Sequence, residues 1–131
     1  GADHTSGQTV RAQVDHLSPE GQAKVSQNAQ IAAAVVDSLG FCLFVSGVVG
    51  SRPDIVADLI RGRFGWDWKP EQVMALGRLT LRNEHRFNRL AGFTSAHDRL
   101  PRWMYEEELP DTGTVFDVPD EDLDAVVEEL S

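Results

Sequence analysis

Asp37-Ser38-Leu39-Gly40-Phe41-Cys42 is the segment of this chain whose residue types can do chemistry. Asp37 falls in the last turn of an apolar, helix-spaced stretch. A carboxylate there faces the negative end of the helix dipole, at a cost of about 0.3–1 kcal/mol. If it is also buried, it requires hydrogen-bond donors to compensate it, and a ligand edge rich in N–H groups, such as a pterin ring, supplies them. Gly40 lets the chain turn sharply, which presents Cys42 just beyond the helix end. Free backbone amides at that point can stabilise a thiolate that ligates a metal cluster. The plainer alternative is that Cys42 is a small core hydrophobe and Asp37 a partly exposed helix-end residue.

Other reactive side chains form no comparable group. His4, His16, His85 and His97 have no tight metal-ligand spacing. His85, His97 and Asp98 can in principle converge on zinc, but surface or helix-end histidines are the favoured reading. No nucleophile elbow marks a Ser-His-Asp site. Gly47-Val48-Val49-Gly50 lacks the lysine and the strand–turn–helix setting of a phosphate loop.

The elements that position Asp37 and Cys42 are read from period and punctuation. Ser18-Pro19-Glu20 starts a helix over 19–39, with Val25, Ala29, Ala32, Val36 and Leu39 inward and Gly40 as its C-terminal cap. Phe41–Val49 is a short apolar run, either a buried helical turn or a buried strand, and its helical surroundings favour helix. Ser51-Arg52-Pro53-Asp54 opens a helix that ends at Gly62 or Gly65, with Ile55, Leu59 and Ile60 inward. Pro70-Glu71 opens the longest helix, 70–90, striped by Val73, Leu76, Thr80 and Phe87. Gly77 admits a close neighbour there, and Gly92 caps the end. Residues 93–99 form a loop, Leu100–Tyr105 a helical turn, and Pro119 opens a last helix facing inward through Leu123, Val126, Val127 and Leu130. The tryptophans and Tyr105 fill a core or an interface. The fold class is all-α, about five helices in a single domain over 1–131.

Composition narrows the function classes. With 131 residues, 41% hydrophobic and 25% charged, the chain can bury a core without staples. A net charge of −9 argues against a nucleic-acid partner. No apolar run reaches the roughly 18–20 residues of a membrane span, so no membrane partner is expected. No signal peptide is visible, and one cysteine suits a reducing cytoplasm. The acids from Asp117 to Glu129 read as helix-start charges and a solvated face.

An ordered set of motifs then resembles the C-terminal domain of the aldehyde ferredoxin oxidoreductase family. Asp37-x-x-Gly40-Phe41-Cys42 is similar to the family's D-x-x-G-L-C. Gly77, Glu84 and Phe87-Asn88 follow its G-x6-E-x-x-F-N, and Gly92-Phe93 and Asp98-x-Leu100-Pro101 follow in order. Gly1-Ala2-Asp3-His4 looks like its G-A-D-H segment. The resemblance covers nearly the whole chain. It implies that Cys42 is the last of four thiolates on a [4Fe–4S] cluster. It also implies that Asp37, Gly40, Phe41 and Cys42 lie against one pterin of a tungsten or molybdenum bis-pterin cofactor, and that His4 is an active-site histidine moving a proton at the substrate. The implied reaction is oxidation of an aldehyde to a carboxylic acid, with electrons leaving to ferredoxin or a similar carrier. Family relatives that reduce aromatic acyl thioesters are the neighbouring alternative, and a non-enzymatic acidic helical interaction module is the alternative of a different class.

The chain departs from the pattern in places. Phe41 stands for the usual Leu; Leu79, His85 and Leu90 stand where Arg is common; His97-Asp98 replaces a paired acid. These changes bear on subfamily and substrate. One cysteine cannot hold a cluster that needs four thiolates. The expectation is therefore a fragment of a larger enzyme, inactive and free of cofactor alone, partnered by that enzyme's N-terminal and middle domains, and capable of forming a homodimer. A face containing Asp37, Cys42 and part of Phe41–Val49 is expected to be exposed.

Overall fold

The computed structural model of the chain describes residues 9, 10 and 12–130. They form six α-helices, α1 (Gln22–Ser38), α2 (Ser46–Val49), α3 (Pro53–Phe64), α4 (Pro70–Leu90), α5 (Trp103–Glu106) and α6 (Asp120–Glu128). Two 3-10 turns, Leu43–Val45 and Ser95–Asp98, lie between them, and no strand occurs among the described residues. The all-α class follows. Two of the six, α2 and α5, are single turns, against about five helices expected.

α1 is central: α4 packs along it, and α6 and α2 also rest on it. It begins three residues later than the sequence suggests. Gly21 has φ of 74°, which no continuing right-handed helix accommodates, so Ser18-Pro19-Glu20 forms a separate turn in which the Glu20 N–H donates to Ser18 Oγ at 3.3 Å. The α1–α4 contact is close because Gly77 lies at the crossing. A Cβ there would collide with the Ile31 carbonyl and stand 2.9 Å from Val35 Cγ2.

The main core joins Val35 and Val36 of α1, Val49 of α2, Val56, Ala57 and Ile60 of α3, and Val73 of α4, with Leu39, Phe41 and Trp68 packed against it. α3 takes Pro53 in its first turn and ends at Gly65 with φ of 73°. Its inward face is Val56, Ala57 and Ile60, with Ile55 half-buried; Leu59, expected inside, is 52% exposed. The expected stripe of α4 also needs correction. Val73 is buried, Leu76 and Thr80 are half-buried, but Phe87 is 71% exposed, because the C-terminal part of α4 has no described element over it.

α6 is held by polar anchors as well as by its apolar face. Gln27, buried in α1, donates from Nε2 to the Val126 carbonyl at 2.8 Å and accepts from Lys24 Nζ at 2.7 Å. Lys24 also pairs with Glu129 at 2.7 Å, which holds that carboxyl below its usual range. Arg99 reaches back to Asp120 and Asp124 at 3.1 and 2.9 Å. Among the described residues no helix is long and apolar enough to cross a membrane.

Candidate functional site

The C-terminal end of α1 is built as a Schellman turn. Gly40 sits in the left-handed region with φ of 70°. Its N–H donates to the Asp37 carbonyl at 3.1 Å, and the Phe41 N–H donates to the Val36 carbonyl at 3.0 Å. The pattern needs a residue at ease with positive φ, which glycine supplies without steric cost. The apolar contact that accompanies such turns is Phe41 packing on the core that contains Val36. Phe41 thereby acts as the anchor of the turn.

Beyond the anchor the chain is extended. Cys42 has φ of −65° and ψ of 139°, and its carbonyl accepts the Val45 N–H at 3.0 Å, which starts the first 3-10 turn. The thiol is exposed. Asp37 is also exposed, and its carboxylate makes no hydrogen bond or ion pair with another described residue. The reading of Cys42 as a buried small hydrophobe is therefore overturned. A free carboxylate and a free thiol flank one glycine turn on the molecule's surface.

A hydroxyl latch that sequence inspection passes over steadies this corner. Thr80 Oγ1 donates to the Leu76 carbonyl at 3.0 Å, so Ser38 is the donor in the 3.1 Å contact between Ser38 Oγ and Thr80 Oγ1. The last residue of α1 is thus tied to the middle of α4. A serine at a helix end opposite a threonine in an apolar stripe was the available signal, and it says nothing until the two helices are known to pack.

The run after Cys42 is helical, as favoured, but mostly unburied. Leu43, Phe44, Val45 and Val48 are 51%, 95%, 44% and 60% exposed, while Val49 alone of the run is buried. An apolar rim therefore adjoins the thiol, on the face where Asp37 and Cys42 were expected to be open.

The remaining candidates do not join this site. His4 lies outside the described residues. His97 closes a local turn, with Nδ1 accepting the Thr94 N–H at 3.1 Å and its ring edge-on to Phe93. Among the described residues no three His, Cys, Asp or Glu side chains come together as a metal site, so the His85–His97–Asp98 set does not assemble. A cleft of about 300 Å3 lies at the other end of α1, lined in part by His16, Ser18, Gln22, Thr114 and Asp117. It is separated from Cys42 by the length of α1, about 25 Å.

Asp37 and Cys42 fit a share of the group that the resemblance implies. One unengaged thiolate donor can supply one of a cluster's four ligands, and one unengaged carboxylate can accept N–H donors from a ring. They do not make a complete site.

Comparison with known proteins bears on the same residues. The sequence profile described as "Aldehyde ferredoxin oxidoreductase, domains 2 & 3" matches residues 1–130. A tungsten-containing aldehyde ferredoxin oxidoreductase of Pyrococcus furiosus is 35% identical over 79 residues, 60% of this chain and 13% of the relative. The proteins of the same name from Thermococcus kodakarensis and Pyrococcus abyssi are each 32% identical, over 80 and 79 residues, again 60% of this chain and 13% of theirs. The matched stretch is thus a small part of each relative's length. No solved structure matches the chain.

Proposed function

The chain belongs to the aldehyde ferredoxin oxidoreductase family, in the region of the family's second and third domains, and from that premise we propose that it forms one wall of a metal–pterin and iron–sulfur centre in a larger oxidoreductase. In this reading the enzyme oxidises an aldehyde to a carboxylic acid, with tungsten or molybdenum in a bis-pterin cofactor. Electrons leave through a [4Fe–4S] cluster to ferredoxin or a similar carrier. The supporting observation is the surface turn at the end of α1, with exposed Asp37 and Cys42 on either side of Gly40.

When bound, the metal–pterin group supplies the oxidation–reduction chemistry and the cluster carries the electrons onward. The work of this chain is positional. Cys42 donates one thiolate, and the Phe41 anchor and Gly40 turn hold it outward. Asp37 accepts hydrogen bonds from the pterin's N–H edge, which offsets its unfavourable place at the helix C-terminus. The latch from Ser38 to Thr80 limits the freedom of the helix end that carries both groups. Leu43, Phe44 and Val48 give the site an apolar rim that other parts of the enzyme cover, keeping water from the cluster. His4 is proposed as the proton-moving residue at the substrate on the family resemblance.

The test is Cys42→Ala in the whole enzyme. Iron content should fall by about four atoms per chain, the content of one such cluster, and turnover should fall with it. Full iron and unchanged turnover would overturn the assignment.

A further inference from the structure

α6 is attached to the molecule differently from the other helices. The main core draws on α1, α2, α3 and α4 and on no residue of α6. Nothing in Asp120–Glu128 is buried: Leu123, Val126 and Val127 are half-buried, and Leu130, just past the helix, is the buried apolar group of this end. The cleft of about 300 Å3 has Leu123 in its wall, and a shallower groove of about 200 Å3 runs along Asp122, Ala125 and Val126. The apolar seam between α6 and α1 is therefore narrow, and burial alone holds it weakly.

The rest of the attachment is polar. Arg99, with a side chain 22% exposed, reaches Asp120 at 3.1 Å and Asp124 at 2.9 Å. Lys24 pairs with Glu129 at 2.7 Å in the open, and Gln27 donates to the Val126 carbonyl at 2.8 Å. These two cations work against strong like charge, since residues 117–129 hold seven carboxylates and no lysine or arginine. Closure also costs something at Arg99 itself: its Nη1 is buried with no acceptor among the described residues, and release returns it to water. A hinge is present next to this balance. Phe116 is fixed, its N–H donating to the Met104 carbonyl at 2.8 Å and its ring edge-on to Tyr105. Asp117, Val118 and Pro119 then lie in no helix and donate no backbone hydrogen bond among the described residues.

We propose that α6 is a releasable strap: it hinges at Asp117–Pro119 and lifts from α1 as a unit, with Arg99 as its latch, while the core of α1 to α4 stays folded. Lifting opens the cleft beside Leu123 and uncovers the N-terminal half of α1 around Ala23 and Gln27. A helix of nine residues is marginal by itself, so α6 unravels once it leaves α1. The release is a local opening of the kind that precedes global unfolding. Every contact it involves lies within this chain, and the inference does not depend on the catalytic reading.

The test is hydrogen exchange of the 131-residue chain, read by mass spectrometry on peptides from α6 and α4. The α6 amides should exchange together, through an opening about tenfold or more as frequent as that of α4. Raising salt from about 20 mM to about 500 mM should speed α6 about threefold and leave α4 unchanged. Arg99→Gln should speed α6 about tenfold, the loss of a charged hydrogen-bonded pair, and Lys24→Met should act in the same direction but less. Both changes lie outside the α6 peptides, so the intrinsic exchange rates there stay the same. Ala23 lines both the cleft and the groove. In a Cys42→Ser background, the thiol of Ala23→Cys should react with a soluble thiol reagent faster when Arg99→Gln is added, by the same factor as exchange. Exchange of α6 only with global unfolding would overturn the proposal, as would α6 amides unprotected throughout. An Arg99→Gln variant that leaves α6 unchanged, or that speeds α4 equally, would also overturn it, as would unchanged reactivity at position 23.

Discussion

Asp37 carries a conflict between stability and use. Its carboxylate stands at the negative end of α1 with no described partner. Removing it should do no harm to the fold and should relieve about 0.3–1 kcal/mol of unfavourable helix-dipole interaction. The expected outcome for Asp37→Ala is therefore an unchanged or slightly raised urea midpoint in this chain, together with loss of bound pterin when the same change is made in the whole enzyme. A clear loss of stability in the isolated chain would show that Asp37 has a structural partner. Cys42 differs from Asp37 in that no helix-end penalty bears on it. Its exposure rules out the role of core filler and leaves the thiol free to ligate. Phe41, by contrast, has a packing role in this structure: its ring holds the turn to the core.

At the level of elements, the site depends on how closely α1 and α4 approach. Gly77 faces the Ile31 carbonyl and Val35, and neither can move without shifting α1. Gly77→Ala removes a helix-destabilising glycine, a gain of roughly 0.5–1 kcal/mol. It also overpacks the crossing, at a cost of typically 1–3 kcal/mol. The second effect should prevail because the obstructing atom is backbone. Denaturant unfolding should show a net loss of about 1–2 kcal/mol. An increase in stability would mean that the helices are further apart than described. The same displacement would separate Ser38 from Thr80, so the corner bearing Asp37 and Cys42 should loosen with it. The helix ends themselves were legible beforehand: Pro53, Pro70, Gly40, Gly65 and Gly92 stand at starts and stops where their backbone preferences place them.

For the molecule as a whole, the notable property is how much apolar surface stays open. Leu43, Phe44, Val45 and Val48 make a rim on one side, and the outer face of α4 makes another. Exposed apolar groups of this kind mark surfaces that something covers. Phe44, at 95% exposure, contributes almost nothing to the described core. Phe44→Ser should leave the thermal midpoint of this chain unchanged within a degree or two, since surface changes seldom exceed about 0.5 kcal/mol. It should also lower the fluorescence of a bound hydrophobic dye. A large fall in thermal midpoint would show that Phe44 is packed. In the whole enzyme the same change should be destabilising, because there the rim is proposed to meet the other domains.

The sequence alone determined the all-α class, the extent of α4, the glycine turn after α1 and the family, because these rest on local backbone preference and on ordered motifs. Period and capping are properties of a few consecutive residues and survive without knowledge of neighbours. The inward faces were less secure. Leu59 and Phe87 have the right spacing to be buried, yet both are open, since a stripe is buried only where another element covers it. The start of α1 shifted for a local reason, the left-handed Gly21, that outweighed a good proline signal. Only tertiary structure decided that Cys42 and Asp37 lie open together and that Ser38 bonds Thr80. Those facts depend on which surfaces meet, and no single stretch of residues encodes that.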